Sequence, residues 1–254
     1  MLNYFNRKRV ARQLSELAAC PLPQTLDLQK ANKVLVFVPH PDDETLGCGG
    51  TLAILAQQCP VKVVLVTDGA GAGGLPAGSD VVRSREFTQA LEHLGITDSE
   101  QLQQPDGAFE ATTALAQRIA QLIEDYRPNW VFLPSPLDYH RDHVRIAAFL
   151  EPLCRRASSV QQILFYEIWA PVPATHVVDI TDQFHSKSQA LAQHATALAC
   201  GDYLRAMEGL CRYRGLYLGF NRMAEAFWVE SVGSRGLFRQ VQAMALSLLQ
   251  RIRQ

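Results

Sequence analysis

No apolar run in this 254-residue chain approaches the ~18–20 residues needed to cross a bilayer. The N-terminal stretch MLNYFNRKRVARQLSELAAC is basic, but no apolar core follows its charges as a secretory signal would require. Charge of one sign is also missing. With Lys+Arg 24 and Asp+Glu 25 the net charge is −1, so there is no global basic field for nucleic acid. The six cysteines, at positions 20, 48, 59, 154, 200 and 211, are irregularly spaced and include no C-x-x-C pair. They read as reduced, mostly buried thiols, and the expected location is cytoplasmic. Internal repeats and low-complexity segments are absent. What is present is an ordinary globular composition, 48% hydrophobic and 19% charged, enough for one sizeable core. A single domain over residues 1–254 is expected, with an N-terminal arm at 1–30 and an amphipathic C-terminal helix at 236–254.

Short apolar runs bounded by turn residues predict buried strands at 34–38, 61–66, 130–133, 163–168, 177–180 and 224–230. Between them, helices are predicted at 47–57, 83–94, 112–126, 182–199 and 202–217. Strands alternating with helices of this length indicate βαβ units. The expected fold is α/β, a Rossmann-like three-layer sandwich with a mostly parallel sheet. Ligands in such sheets bind beyond the carboxyl ends of the strands, and two of those ends carry chemistry.

The first is PHPDDETLGCGG, from Pro39 to Gly50. A dinucleotide turn is the obvious reading of a glycine-rich stretch after a first strand. Here, however, eight residues separate the strand from GCGG, and the turn itself holds Asp42, Asp43 and Glu44, which would repel a pyrophosphate. Acids in a first helical turn also satisfy free N–H groups and the helix dipole, a role that suits Glu44. That role leaves the histidine unexplained. His40 and Asp43, three apart in a tight turn, can converge on a divalent metal, with Asp42 near the metal but not on it. The second loaded end is PSPLDYHRDHV, from Pro134 to Val144, where His140 and His143 flank Asp142 at the start of a helix. His40, Asp43 and His143 together would make a two-histidine, one-carboxylate set with a position left for water. Mixed nitrogen and oxygen ligation suits zinc best, with iron, cobalt or nickel as alternatives.

The pairing of PHPDDE with HRDH resembles the LmbE-like, or PIG-L, zinc de-N-acetylases. The resemblance extends through RSREFTQALEHLG, YRPNWVFLPSPLDYHRDH, YEIWAPV, VVDIT and RYRGLYLGFNRMAEAF, which together span most of the chain. It implies hydrolysis of the acetamide of an N-acetylglucosamine-type sugar on a lipid, saccharide, nucleotide or small-molecule carrier. It also implies zinc on His40, Asp43 and His143, and Asp42 as general base. His140 would stabilise the tetrahedral intermediate, kept cationic by its orienting partner Asp142. Arg83 would contact substrate, and Tyr139 is placed near an oxyanion role at a spacing that differs from the family's.

Other features keep two readings each. The Gly-rich loop Thr67–Asp80 is a lid over the site or a solvated loop. Arg83 and Glu86 are spaced for a surface ion pair. Cys48 reads as a packed thiol, and His93, His176, His185 and His194 as surface or structural residues, though the family resemblance also places His194 near the site. The apolar face of 236–254 suits docking on the domain or on a second subunit, or else a membrane surface next to a lipid-linked substrate. The rival functions are an ester hydrolase using the same metal and a non-catalytic sugar- or metabolite-binding protein on the same fold.

Overall fold

The five apolar residues Val34–Val38 are all buried because the strand they form lies inside a sheet covered on both faces. A computed structural model describes residues 22–71, 75–76 and 78–233. Its strands are β1 (Gln24–Thr25), β2 (Val34–Val38), β3 (Val61–Thr67), β4 (Asp98–Gln104), β5 (Trp130–Pro134), β6 (Gln162–Tyr166), β7 (His176–Asp179) and β8 (Ala224–Ser231). They form one sheet in the order β1-β7-β8-β6-β5-β2-β3-β4. Neighbours from β6 through β4 pair in parallel, as do β1 and β7, while β8 runs antiparallel between β6 and β7. The fold is therefore α/β, Rossmann-like and mostly parallel.

The helices are α1 (Asp43–Leu55), α2 (Ser79–His93), α3 (Thr113–Tyr126), α4 (Arg141–Arg156), α5 (Phe184–Gln193), α6 (Ala195–Leu198) and α7 (Tyr203–Gly215). Alternate strand residues serve two separate cores. Val34, Val36, Val63, Leu65, Trp130 and Phe132 pack with residues of α1, α2, α5 and α7. Leu35, Phe37, Val64, Val66, Val131 and Leu133 pack with α3 and α4 on the other face. Pleat geometry sends neighbouring side chains to opposite faces, so a strand between two helical layers must be apolar throughout.

Three elements differ from the sequence expectation. β4, DSEQLQQ, has only Leu102 buried, because it is an edge strand with little to cover. The predicted helix 182–199 breaks at His194, whose ψ of 59° ends α5 and starts α6. Part of the expected arm, Gln24–Thr25, joins the sheet. Among the described residues no helix is long and apolar enough to cross a membrane. The expected helix at 236–254, most of the arm, and residues 72–74 and 77 of the Gly-rich loop lie outside the described residues.

The chain leaves β2 toward β3 on one side and later returns to place β5 on the other. The crevice between β2 and β5 is therefore a topological switch point, where open α/β sheets bind ligands. Both loaded loops open there.

Candidate metal centre

His40 follows β2 and Asp43 begins α1, so the tight turn between them brings their side chains together. His40 Nδ1 lies 3.2 Å from Asp43 Oδ2 and 3.1 Å from His143 Nε2, while His143 Nε2 lies 3.1 Å from Asp43 Oδ2. Three ligand-capable atoms from two strand ends thus form a nearly equilateral triangle. A tetrahedral ion with ligands at about 2.0–2.1 Å has edges of roughly 3.3–3.4 Å, so the set fits a small divalent metal. The remaining ring nitrogens support this reading. His40 Nε2 lies 3.0 Å from Asp106 Oδ1 and 3.5 Å from Asp142 Oδ2, and His143 Nδ1 lies 3.3 Å from Asp138 Oδ1. A carboxylate behind each imidazole is how metal-binding histidines are oriented and made basic. Ligand atoms of His40, His140 and His143 also lie within 4.8 Å of one another, as do those of His40, Asp106 and Asp142.

The electrostatics follow from this crowding. Burial alone would lower His143, but Asp43 and Asp138 carry it up to about 9. His40 is raised against burial by Asp106, Asp142 and Asp43. Burial opposes ionisation of Asp43, yet His143 and His40 hold it well below the usual carboxylate range. The cluster therefore attracts positive charge, for which protons and a metal ion compete.

Asp42 is the N-cap of α1 and has φ 123°, a backbone conformation that an L-residue other than glycine rarely adopts. Burial first, and then Asp43, raises its carboxyl to about 7. Arg83 Nη2 lies 3.6 Å from Asp42 Oδ2. Arg83 is buried, donating to Gly69 O at 2.7 Å and Pro41 O at 2.9 Å. It does not form the surface pair with Glu86, which instead accepts from the N–H and hydroxyl of Thr196, each at 2.9 Å.

His140 meets a different part of Asp142 from the one expected. Burial, then His40 and His143, lower its pKa. The Asp142 carboxylate faces elsewhere, accepting from Gly107 N–H at 2.7 Å and standing near His40. What orients His140 is the Asp142 main chain, whose N–H donates to His140 Nδ1 at 3.3 Å. With Nδ1 accepting that bond, the neutral form of the ring carries its proton on Nε2. Tyr139 is 85% exposed.

Glu44 caps as expected, accepting from Asp42 N–H at 3.1 Å, and also pairs with His194 Nε2 at 2.9 Å. Cys48 is a buried thiol whose pKa is pushed up by burial, unsuited to nucleophilic attack. Sequence reasoning missed Asp106 and Asp138. Asp138 sits inside PSPLDYHRDHV, so a carboxylate near the histidine pair was visible there although its partners were not. Asp106 follows the polar edge strand β4, where no periodicity marks it.

The profile of the PIG-L family, GlcNAc-PI de-N-acetylase, matches residues 35–154, which hold both loops. A diacetylchitobiose deacetylase from Thermococcus kodakarensis is 30% identical over 212 residues, covering 74% of this chain and 78% of that protein. A probable N-acetyl-alpha-D-glucosaminyl L-malate deacetylase 2 from Bacillus cereus is 32% identical over 122 residues, or 43% of this chain and 55% of that one. The solved N,N′-diacetylchitobiose deacetylase of Pyrococcus horikoshii superposes with a TM-score of 0.72 at 21% identity, covering 91% of this chain and 94% of that one. The chain belongs to the PIG-L, or LmbE-like, family and is an enzyme of its metal-dependent N-deacetylase class, a hydrolase of N-acetyl amide bonds.

Proposed function

We propose that this enzyme removes acetyl from an N-acetylglucosamine-type sugar conjugate, with zinc held by His40, Asp43 and His143. The observation that carries the proposal is the 3.1–3.2 Å triangle of these ligand atoms, with the buried Asp42 preceding Asp43 in the same turn. Zinc, when bound, polarises the amide carbonyl and acidifies water. Asp42, raised to about 7 by burial and Asp43, takes the water proton on its carboxylate near neutral pH and returns it to the departing amine nitrogen. His140 offers its Nε2–H to the oxygen that gains charge, with Asp142 N–H holding the ring in place. Arg83 keeps donors beyond those used on Gly69 and Pro41, and we assign them to a sugar oxygen. An unliganded carboxylate next to a complete ligand set supports hydrolysis over binding alone. The names of the matched relatives favour amide over ester. The free thiols among the described residues support a cytoplasmic location.

The test combines metal content per chain with acetate release from N-acetylglucosamine conjugates. Wild type should hold about one zinc, and His143→Ala should lose it. Asp42→Asn should keep the metal and lose turnover by ~10²–10⁴-fold. A wild type that takes up no metal from added zinc would sink the proposal, and normal turnover in Asp42→Asn would remove Asp42 as base.

A further inference from the structure

Of the three tryptophans, Trp130 and Trp228 are buried, while Trp169, in the loop after β6, is 51% exposed. That loop is firmly held. Glu167 is buried and pairs with Arg214 of α7 through two contacts, Nε–Oε1 at 2.9 Å and Nη2–Oε2 at 2.6 Å. The loop closes on the same pair, since Val172 N–H donates to Glu167 Oε2 at 2.9 Å and Arg214 donates to Val172 O at 3.0 Å. Trp169 N–H itself donates to Asp138 Oδ2 at 3.1 Å, and the other oxygen of Asp138 stands 3.3 Å from His143 Nδ1. Finally, the indole packs edge-to-face on Tyr203, with ring centroids 5.7 Å apart at 75°. Tyr203 opens the helix whose last turn carries Arg214. Its phenol is pushed up by burial and then by Asp42, with Arg83 opposing, which puts it within electrostatic reach of the centre.

One carboxylate thus bridges a proposed metal ligand and the main chain of a half-bare tryptophan, and a second aromatic fixes that indole's orientation. An immobilised aromatic surface beside a polar site loses little side-chain entropy when it is covered. A pyranose presents a flat face of C–H groups edged by hydroxyls, which can bury on an indole while its hydroxyls stay wet. We propose that Trp169, braced by Tyr203, is a stacking subsite for the sugar ring next to the deacetylated residue. The substrate would then be a glycosidic conjugate, at least a disaccharide. This rests on the deacetylase reading above and narrows its carrier.

Calorimetric titrations of the zinc-loaded Asp42→Asn enzyme with N,N′-diacetylchitobiose and with N-acetylglucosamine test it. Adding Trp169→Ala should raise the disaccharide Kd about tenfold and change the monosaccharide Kd less than about twofold, while Trp169→Phe should restore the disaccharide Kd to within about threefold. Binding of the disaccharide to the chain with Trp169 present should also shift tryptophan emission, a change absent from the Phe variant because Trp130 and Trp228 are buried. Equal losses for both sugars, no loss for either, or no binding of any saccharide would overturn the subsite. If the disaccharide binds as expected but wild type releases no acetate from it, the deacetylase reading fails and the subsite stands.

Discussion

Asp138 touches three things at once: the His143 ring, the His140 N–H and the Trp169 N–H. Its charge is used on His143, where it favours the proton on Nδ1 and leaves Nε2 free to bind metal. Asp138→Asn keeps the shape and removes the charge. Zinc affinity should fall by ~10–100-fold in a chelator competition, and an unchanged affinity would show that His143 needs no carboxylate behind it. Asp42 carries a different cost. At φ 123° its backbone stores strain of about 1–3 kcal/mol, and its carboxylate is buried as well. Glycine removes both, against ~0.4–1 kcal/mol of extra unfolded-state entropy. Asp42→Gly should therefore be inactive yet about 1 kcal/mol more stable to urea in the presence of chelator, and a less stable variant would place the strain elsewhere. Neither the φ of Asp42 nor the partners of Asp138 is encoded in residue spacing, so the sequence offered the residues without these roles.

Helix α1 shows what GCGG is for. A Cβ on Gly47 would lie 2.3 Å from Tyr166 Cδ2, and one on Gly50 would lie 2.8 Å from Ile180. These glycines let the helix lie close on the sheet rather than cradle a phosphate. Tyr166 cannot easily yield, since its hydroxyl donates to Phe37 O at 2.8 Å and its ring is fully buried. Alanine at position 47 would gain up to ~1 kcal/mol in helix propensity and lose ~1–3 kcal/mol to overpacking. The second effect should win, so Gly47→Ala should lower the melting temperature, and a rise would show that Tyr166 can move. The same helix is held from across the fold by Glu225, which accepts from Gly50 N–H at 2.8 Å and Thr51 N–H at 2.7 Å and pairs with the buried Lys187 at 2.5 Å. The central strands were readable because burial on both faces demands unbroken apolar runs. β4 was not, because an edge strand needs only one buried residue.

Across the whole molecule, His194 joins Glu44 over 150 residues of sequence and braces the turn that bears Asp42 and Asp43. Burial pulls its pKa down, but Glu44, then Asp42 and Glu86, raise it above its ordinary 6.5. A raised histidine contributes stability that is complete below the unfolded pKa and is lost as pH rises through the folded one. The unfolding free energy that separates wild type from His194→Gln should therefore be larger at pH 6 than at pH 9. A gap that stays constant or widens toward pH 9 would mean that His194 acts through packing alone. Read as sequence, His194 had no partner at ligand spacing, since Glu44 reaches it only through the fold. What the sequence determined by itself was local: the doubly buried strands that specify an α/β sheet, and the short spacings that put His40 with Asp43 and His140 with His143. Only the tertiary structure decided which carboxylate backs which imidazole, that the Asp142 main chain orients His140, and that Asp138 ties Trp169 to His143. Those pairings join different strand ends, and distance through the fold, not along the chain, sets their energies.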